Sequence, residues 1–453
     1  MAFKVQLSQL SDITGAISNQ ESVQMATGLS TDTRTLTPGQ IFVALTGERF
    51  DGHDYLAIAA KQGAIAAIVS RIPENVPSGL ILYSVENTLR AYQQLGQWWR
   101  KQFAGPVIGV TGSVGKTTTK ELIAAVLGIQ GAVLKTEANF NNEIGVPKTL
   151  LGLSNTDRYA VIEMAMRGPG EIAELTEIAC PDIGVITNVG TAHIGRLGSE
   201  ENIARAKCEL LASMPKSSVA ILNGEDARLL KTAAQVWSGQ TITYGIDSGD
   251  FRGRLEGQGI WVEQQYFPLP LPGRHNALNF LAALAITKVL GIAWEPLQTG
   301  LTVTLPKGRA QRYELANDVV ILDETYNAGV ESMIAALKLL KETPGQRHIA
   351  VLGTMKELGE FGYELHRRVG QTANQLSLDG LVVLQDEEAT AGLLDGAPDL
   401  AVYRTQSHAE VLDCLKTLVK PGDRVLFKAS NSVGLGQVAN QLRAQWGETD
   451  SKS

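Results

Sequence analysis

The sequence predicts an α/β protein of three domains, each a parallel or mixed sheet covered by helices. Three observations predict it. The 453 residues exceed what one core normally holds and suit about three domains. Short apolar strands alternate with helical stretches along much of the chain, which is how parallel sheets read in sequence. And an apolar run from Val107 to Val110 enters a glycine-rich turn and then a helical stretch, Glu121 to Leu127. Strand, glycine turn and helix in that order are the context in which a phosphate loop has a mechanism.

Composition narrows the class. Apolar residues make up 44% and charged residues 19%, as in globular proteins. A net charge of −7, with acids and bases interspersed, argues against a nucleic-acid partner and suits an enzyme. Cys180, Cys208 and Cys414 form no C-x-x-C pair, so neither a disulfide framework nor a zinc site is expected, in keeping with a reducing compartment. No run approaches the ~20 apolar residues of a spanning helix, and the first residues lack a signal-peptide core. A cytoplasmic monomer with no membrane partner is expected. No internal repeat of 20–50 residues and no low-complexity segment is evident.

Residues 1–104 form the first unit. Ser30-Thr31-Asp32-Thr33-Arg34 is a hydroxyl-rich turn before a strand at 39–45. Gly52 and His53 lie in a loop entering a helix, with Asp54 a candidate N-cap. Such loops at strand ends either hold a nucleotide or sugar, or are plain turn and capping chemistry. A helix is expected from Thr88 to Phe103, and Gly105-Pro106 marks a boundary.

Residues 105–312 form the second unit, built around Thr111-Gly112-Ser113-Val114-Gly115-Lys116-Thr117-Thr118. Gly112 and Gly115 let the backbone turn and aim N–H groups at phosphate oxygens, and the helix that follows adds its positive end. Lys116 reaches the β/γ-phosphates and the Thr117 hydroxyl is placed for Mg²⁺. The loop is a shortened form, since Val110 stands where the general pattern has glycine. Asn139-Phe140-Asn141-Asn142-Glu143 follows, a polar run that either lines a cleft or bonds itself. Glu163 ends an apolar strand, where an acid completes a metal shell beside a phosphate loop. A strand over 183–189 opens into Gly190-Thr191-Ala192-His193, and strand ends of this kind carry ligand loops. Ser199 starts a helix with a capping signature. On that helix Lys207, taken alone, is a surface lysine. Asn276 and Asn279 share a face at the start of an Ala/Leu-rich helix, as N-caps or as ligand contacts.

Residues 313–453 form the third unit, with strands expected at 319–322, 349–352, 381–384 and 424–427. Asp323-Glu324-Thr325-Tyr326-Asn327 closes the first of these, and Lys428-Ala429-Ser430-Asn431-Ser432 the last. A frayed polar tail is expected from about Gly447.

The phosphate loop, the N-F-N-N-E-I-G-V-P run at 139–147, Thr191-Ala192-His193 and the stretch from Gly273 to Asn279 together resemble the Mur ligase family, in family order over essentially the whole chain. Within it they look like the members that add D-alanyl-D-alanine. The resemblance implies that the three domains hold a UDP-sugar, ATP with metal, and the incoming amino compound. It implies that ATP phosphorylates the terminal carboxylate of a UDP-N-acetylmuramoyl-tripeptide and that the D-alanyl-D-alanine amine captures the acyl phosphate. By resemblance, Thr117 and Glu163 hold one Mg²⁺, and His193 and a carbamylated Lys207 serve a second. Lys116, His193 and Lys207 are then the catalytic set. Gly112, Ser113, Val114, Gly115 and Thr118 surround the phosphates; Asn276, Arg309, Asp323, Tyr326 and Asn327 lie about the adenosine end. Ser30, Thr31, Thr33, Arg34, Gly52 and His53 lie near the UDP-sugar, and Asn139, Asn141, Asn142 and Glu143 face the peptide or dipeptide. The chain departs from the family at Thr354, often Asp, at Gly329-Val330, commonly Asn-Pro, and at Asn431, often Arg. All three fall in the third unit. The Asp-Asn-Pro-Arg motif of diaminopimelate-adding relatives is absent. The alternatives are another ligase of the superfamily, including a folylpolyglutamate synthase, and, in a different class, a phosphate-loop ATPase switch that makes no bond.

Overall fold

The structure, a computed structural model, describes residues 3–447; the polar tail expected beyond Gly447 lies outside them. Beside a two-stranded antiparallel ribbon, Val5–Gln6 with Met25–Ala26, three larger sheets carry the chain in sequence order, as the alternation of strands and helices predicts.

The first sheet has the strand order Ile17–Ser18, Ile81–Ser84, Ala66–Val69, Ile41–Val43, Leu29–Ser30, parallel except for its first pair. The helix Thr88–Gln102 is capped by the Asn87 side chain, which accepts from the Arg90 N–H at 3.0 Å. This helix ties the first domain to the second. The buried guanidinium of Arg100 donates to Ala179 O at 3.0 Å, Cys180 O at 3.0 Å and the Asp182 carboxylate at 2.8 Å. Asp54 does not cap the following helix. Asp51 caps the 3-10 turn Gly52–Tyr55 instead, accepting from the His53 N–H at 2.9 Å, because its carboxylate precedes the first free N–H groups.

The second sheet has nine strands. Val107–Thr111 lies inside it, between Asp157–Glu163 and Ile183–Ile186, and all three run parallel. Every residue of Val107–Thr111 is buried, which explains its unbroken apolar reading. Register matters more than composition here. Glu163 pairs with Val110 and Ile186 with Thr111, so three strands deliver their loops at one edge. Ile183–Ile186 stops three residues earlier than expected, because Thr187 and Asn188 turn out to brace the phosphate loop: Thr187 Oγ1 and Asn188 Nδ2 donate to Val114 O at 2.6 and 3.0 Å. The far edge is an antiparallel extension, Phe251–Glu256, Gly259–Val262 and Gln265–Pro268.

The third sheet runs Gln311–Leu315, Val319–Asp323, Asp423–Lys428, Arg347–Leu352, Gly380–Leu384, Val402–Thr405, parallel except for its first pair. It folds against the second. One buried apolar cluster continues from Ile162 and Ile194 to Met333, Leu352 and Leu358. Polar contacts reinforce that seam: the Glu331 carboxylate accepts from Thr191 N–H at 2.9 Å, and Gly195 N–H donates to Glu357 O at 3.3 Å. Among the described residues no helix is long and apolar enough to cross a membrane.

Candidate active site

The parallel edges of the second and third sheets face one cavity of about 1070 Å³. Its floor is the phosphate loop. Gly112 at φ 149° and Gly115 at φ 81° hold conformations that an L side chain resists, and a Cβ on Gly112 would sit 2.0 Å from Thr187 Oγ1. Helix Lys116–Gly128 starts directly behind Gly115. Lys116 Nζ folds back on its own loop, donating to Gly112 O at 2.8 Å and Ser113 O at 3.2 Å. Burial draws its pKa down, opposed by the nearby Glu163 charge.

Glu163 is buried behind the loop. Its Oε1 accepts from Asn141 Nδ2 at 2.8 Å, while Oε2 has no hydrogen-bond partner and lies 3.9 Å from Lys120 Nζ. An unbonded buried carboxylate oxygen beside the buried Thr117 side chain is a fitting pair of donors for a hard cation. Among the described residues no group of three or more His, Cys, Asp and Glu could hold a metal alone.

His193 lines the same cavity in a left-handed conformation, φ 66°. Its Nδ1 stands 2.6 Å from the Glu357 carboxylate, off the alignment of a hydrogen bond. Glu357 is also left-handed, φ 65°. Two strained residues meeting across the domain seam mark a contact held by its surroundings. Burial lowers the His193 pKa against the pull of Glu357.

Lys207 is not a surface lysine: it is fully buried, on helix Glu200–Ser213. Burial first, and the Lys116 ammonium second, take its pKa well below the ordinary value. Its place in the interior comes from packing of that helix on Glu171–Ala179 and is not written in the local sequence.

The Asn-rich run divides. Asn139 and Asn141 line the cavity, whereas Asn142 bonds its own loop, accepting from Gly145 N–H at 2.9 Å. A Cβ on Gly145 would lie 2.3 Å from the Phe140 backbone, so glycine is required there. The Glu143 side chain is not part of the lining; its carbonyl accepts from Gln93 Nε2 at 3.3 Å. Asn276 is not an N-cap. Gly273 holds that position and the Asn276 amide donates to Pro272 O at 2.8 Å from inside the helix.

From the third sheet, Arg309, Tyr326 and Asn327 reach the cavity. The Arg309 guanidinium lies 4.0 Å from the Tyr326 ring centroid, with its buried Nε unpartnered. Asp323 does not reach it: its carboxylate is spent on Thr325 N–H and Oγ1, at 3.0 and 2.6 Å. Glu324, one residue on, does, and burial raises its pKa. Sequence reasoning also passed over His275, Glu331, Lys356, Glu357 and Lys428 as site residues, all of which line the cavity. For Lys428 the signal was available, since it ends a parallel strand.

Ser30, Thr31, Thr33, Arg34, Gly52 and His53 lie apart from this cavity, in the first domain. Their local bonds are turn chemistry. Asp32 and Arg34 form an ion pair at 2.6 Å, and that hydrogen-bonded contact holds the Asp32 carboxyl down at about 2. His53 Nδ1 meets Asp51 at 2.5 Å and Nε2 accepts from Ser70 N–H at 2.9 Å.

Three family models match: the Mur ligase middle domain over residues 110–287, the Mur ligase glutamate ligase domain over 308–431 and the Mur ligase family catalytic domain over 26–95. A curated relative from Synechocystis sp., UDP-N-acetylmuramoyl-tripeptide--D-alanyl-D-alanine ligase, is 54% identical over 92% of both chains. A crystal structure of MurF from Acinetobacter baumannii matches with TM-score 0.88 at 31% identity, covering 98% of this chain and 99% of that one. The MurF ligase of Thermotoga maritima in complex with ADP matches with TM-score 0.82 at 31% identity, covering 92% and 97%. With family models spanning most of its length and a relative at that identity, the chain belongs to the Mur ligase family.

Proposed function

We propose that this chain is an ATP-dependent ligase that joins D-alanyl-D-alanine to UDP-N-acetylmuramoyl-tripeptide in peptidoglycan precursor synthesis. The observation that carries it is the single cavity in which a phosphate loop faces the strand ends of a second domain, in a chain 54% identical to a curated ligase of that name. A carboxylate cannot be captured by an amine directly, because oxide is too poor a leaving group. The tripeptide carboxylate oxygen therefore bonds the γ-phosphorus of ATP as the bond to ADP breaks. The dipeptide amine then bonds the acyl carbon, phosphate departs with the C–O electron pair, and the amine gives up a proton.

The chain's residues supply position and charge. Lys116 and the N–H groups of its loop take the phosphates. Arg309, Tyr326, Asn327 and Asn276 surround the adenosine end, with Asp323 bracing that turn from behind. Asn139 and Asn141 face the peptide, and the turn at 30–34 with Gly52 and His53 holds the UDP-sugar. Thr117 and Glu163 would hold one Mg²⁺, and His193 with modified Lys207 would serve a second. When bound, the metal offsets the repulsion between two anions brought together. Lys207 suits carbamylation on physical grounds. Burial lowers its pKa and so favours the unprotonated amine, the form that adds CO₂ with loss of a proton. The resulting anion would replace a repulsion from Lys116 by an attraction.

We place the protein in the cytoplasm as a monomer. The deciding experiment is ADP release with UDP-tripeptide and a panel of amines. Dependence on D-alanyl-D-alanine is expected. Dependence on glutamate or diaminopimelate would name another ligase, and full-rate turnover with neither a carboxylate nor an amine substrate would name a switch.

A further inference from the structure

The proposed second substrate carries a carboxylate at its far end, and a negative charge enclosed between two domains needs a partner. Among the described residues five side-chain cations line the cavity: Lys116, Arg228, Arg309, Lys356 and Lys428. Four are committed by their surroundings. Lys116 lies on the phosphate loop. Arg309 stacks on Tyr326, and Lys428 is buried with its ammonium donating to Asn327 O at 2.9 Å and Glu324 O at 3.2 Å. Arg228 is as exposed as Lys356 and likewise ion-paired, to Glu200 and Glu201, but it belongs to the second domain and has Glu225 and Asp226 lining the cavity beside it, an acidic surround that disfavours a further carboxylate.

Lys356 differs. It comes from the loop after the third-sheet strand Arg347–Leu352, and the next residue, Glu357, is the one that meets His193. Its cation therefore stands on the same short loop that touches His193 of the second domain. The backbone of that loop is fixed from far along the chain. Lys356 N–H donates to Ser430 Oγ at 2.9 Å, Met355 N–H to His366 Nε2 at 2.9 Å, and Ser430 N–H to Thr354 O at 3.0 Å. The ammonium rests on Glu387, with Asp386 at 3.8 Å, and Asp386 is itself held by the Thr354 hydroxyl. The Lys356 and Glu387 side chains keep 35% and 46% of their exposure. A pair so exposed is weak, and exchanging one carboxylate for another leaves its balance almost unchanged.

We propose that Lys356 receives the terminal carboxylate of the dipeptide, making it the specificity-determining residue for an amine substrate whose free acid lies on the residue after the one bearing the nucleophile. This rests on the ligase reading above. Because Lys356 belongs to the third domain, it reaches the second-domain machinery only when the two domains meet. The dipeptide acid thereby favours closure over the phosphate loop.

The test compares D-alanyl-D-alanine with its C-terminal amide in the full-length enzyme, using ADP release for wild type, K356Q and K356R. The wild type is expected to prefer the acid. K356Q should lower kcat/KM for the acid by about 10–100-fold, chiefly through KM, as for loss of one charge-assisted hydrogen bond. The same change should move the amide by no more than about threefold, so the acid-to-amide preference collapses. K356R should keep much of it, and the KM for ATP reports that the fold and the phosphate loop are intact. A wild-type enzyme indifferent to amidation, or K356Q with the full preference retained, overturns the proposal while leaving the ligase reading in place. No ADP release with either compound, alongside turnover with another amine, overturns both.

Discussion

Two loops follow inner strands of parallel sheets in this molecule and look across one cavity at each other. The phosphate loop follows Val107–Thr111, and the loop carrying Lys356 and Glu357 follows Arg347–Leu352. The first is shaped within its own domain, through two glycines at positive φ, a lysine bonded to its own carbonyls, and Thr187 and Asn188 after the neighbouring strand, which bond Val114. The second is shaped by residues elsewhere: Ser430 and His366 hold its backbone, and His193 of another domain meets its Glu357. Binding phosphate needs only groups of one domain, whereas joining two substrates needs groups that come together when domains meet. Damage to the first loop should therefore remove chemistry, and damage to the second should loosen assembly.

The largest expected effect is K116A, which should lower kcat by at least about 10²–10³-fold, as for loss of a preorganised electrostatic group. Activity within tenfold of wild type in an ADP-release assay would break the comparison at its stronger end. Next is K207A, expected to cost about 10²-fold, with part of the activity restored by formate or acetate. Carbon-13 NMR of protein equilibrated with labelled bicarbonate should show a carbamate signal in wild type that the variant lacks; its absence in wild type would remove the modification from the mechanism.

Acid should act on the seam. Burial and the Lys428 charge lower the His275 pKa to about 4 from 6.5. Above pH 6.5 the ring is neutral folded or unfolded and the stability is fully present. Between pH 6.5 and 4 the unfolded chain binds the proton and the native one does not, so stability falls with pH. The loss is on the order of 2 kcal/mol for a partly exposed ring. Chemical denaturation of H275N across pH 7 to 4 should give a flatter profile than wild type, and parallel profiles would refute the assignment.

The smallest effect is expected from E331Q, which keeps the shape of the seam contact to Thr191 but removes its charge. About tenfold or less in kcat/KM should go, with kcat less affected. Small-angle scattering with ATP and UDP-substrate should show weaker compaction than wild type. An equal response would mean that the apolar part of the seam suffices.

Much of the second domain was legible because its signals are short-range. A glycine needed for a positive φ, a lysine following it and a helix behind them lie within ten residues, and Glu163 could be named because it closes a buried strand. Lys207 was not legible as a buried group. Its neighbours in sequence read as an amphipathic helix, and which face is covered depends on a helix more than twenty residues away. The Asn-rich run was half legible, since only tertiary contact separates Asn141, which turns to Glu163, from Asn142, which bonds its own loop. Asp323 and Glu324 could not be told apart, because adjacent residues at a strand end point opposite ways and only the turn geometry says which one faces the cavity.

By itself the sequence determined the three α/β domains, the phosphate loop and the family resemblance, all consequences of periodicity and of conformations that particular residues permit locally. Tertiary structure decided which lysines are buried, which acids meet His193 and Thr191, and which cations line the cavity between the second and third sheets. Those facts depend on the approach of surfaces well over a hundred residues apart in the chain, as at Thr191 with Glu331 and His193 with Glu357, where burial and charge are properties of the assembled interface and of no segment alone.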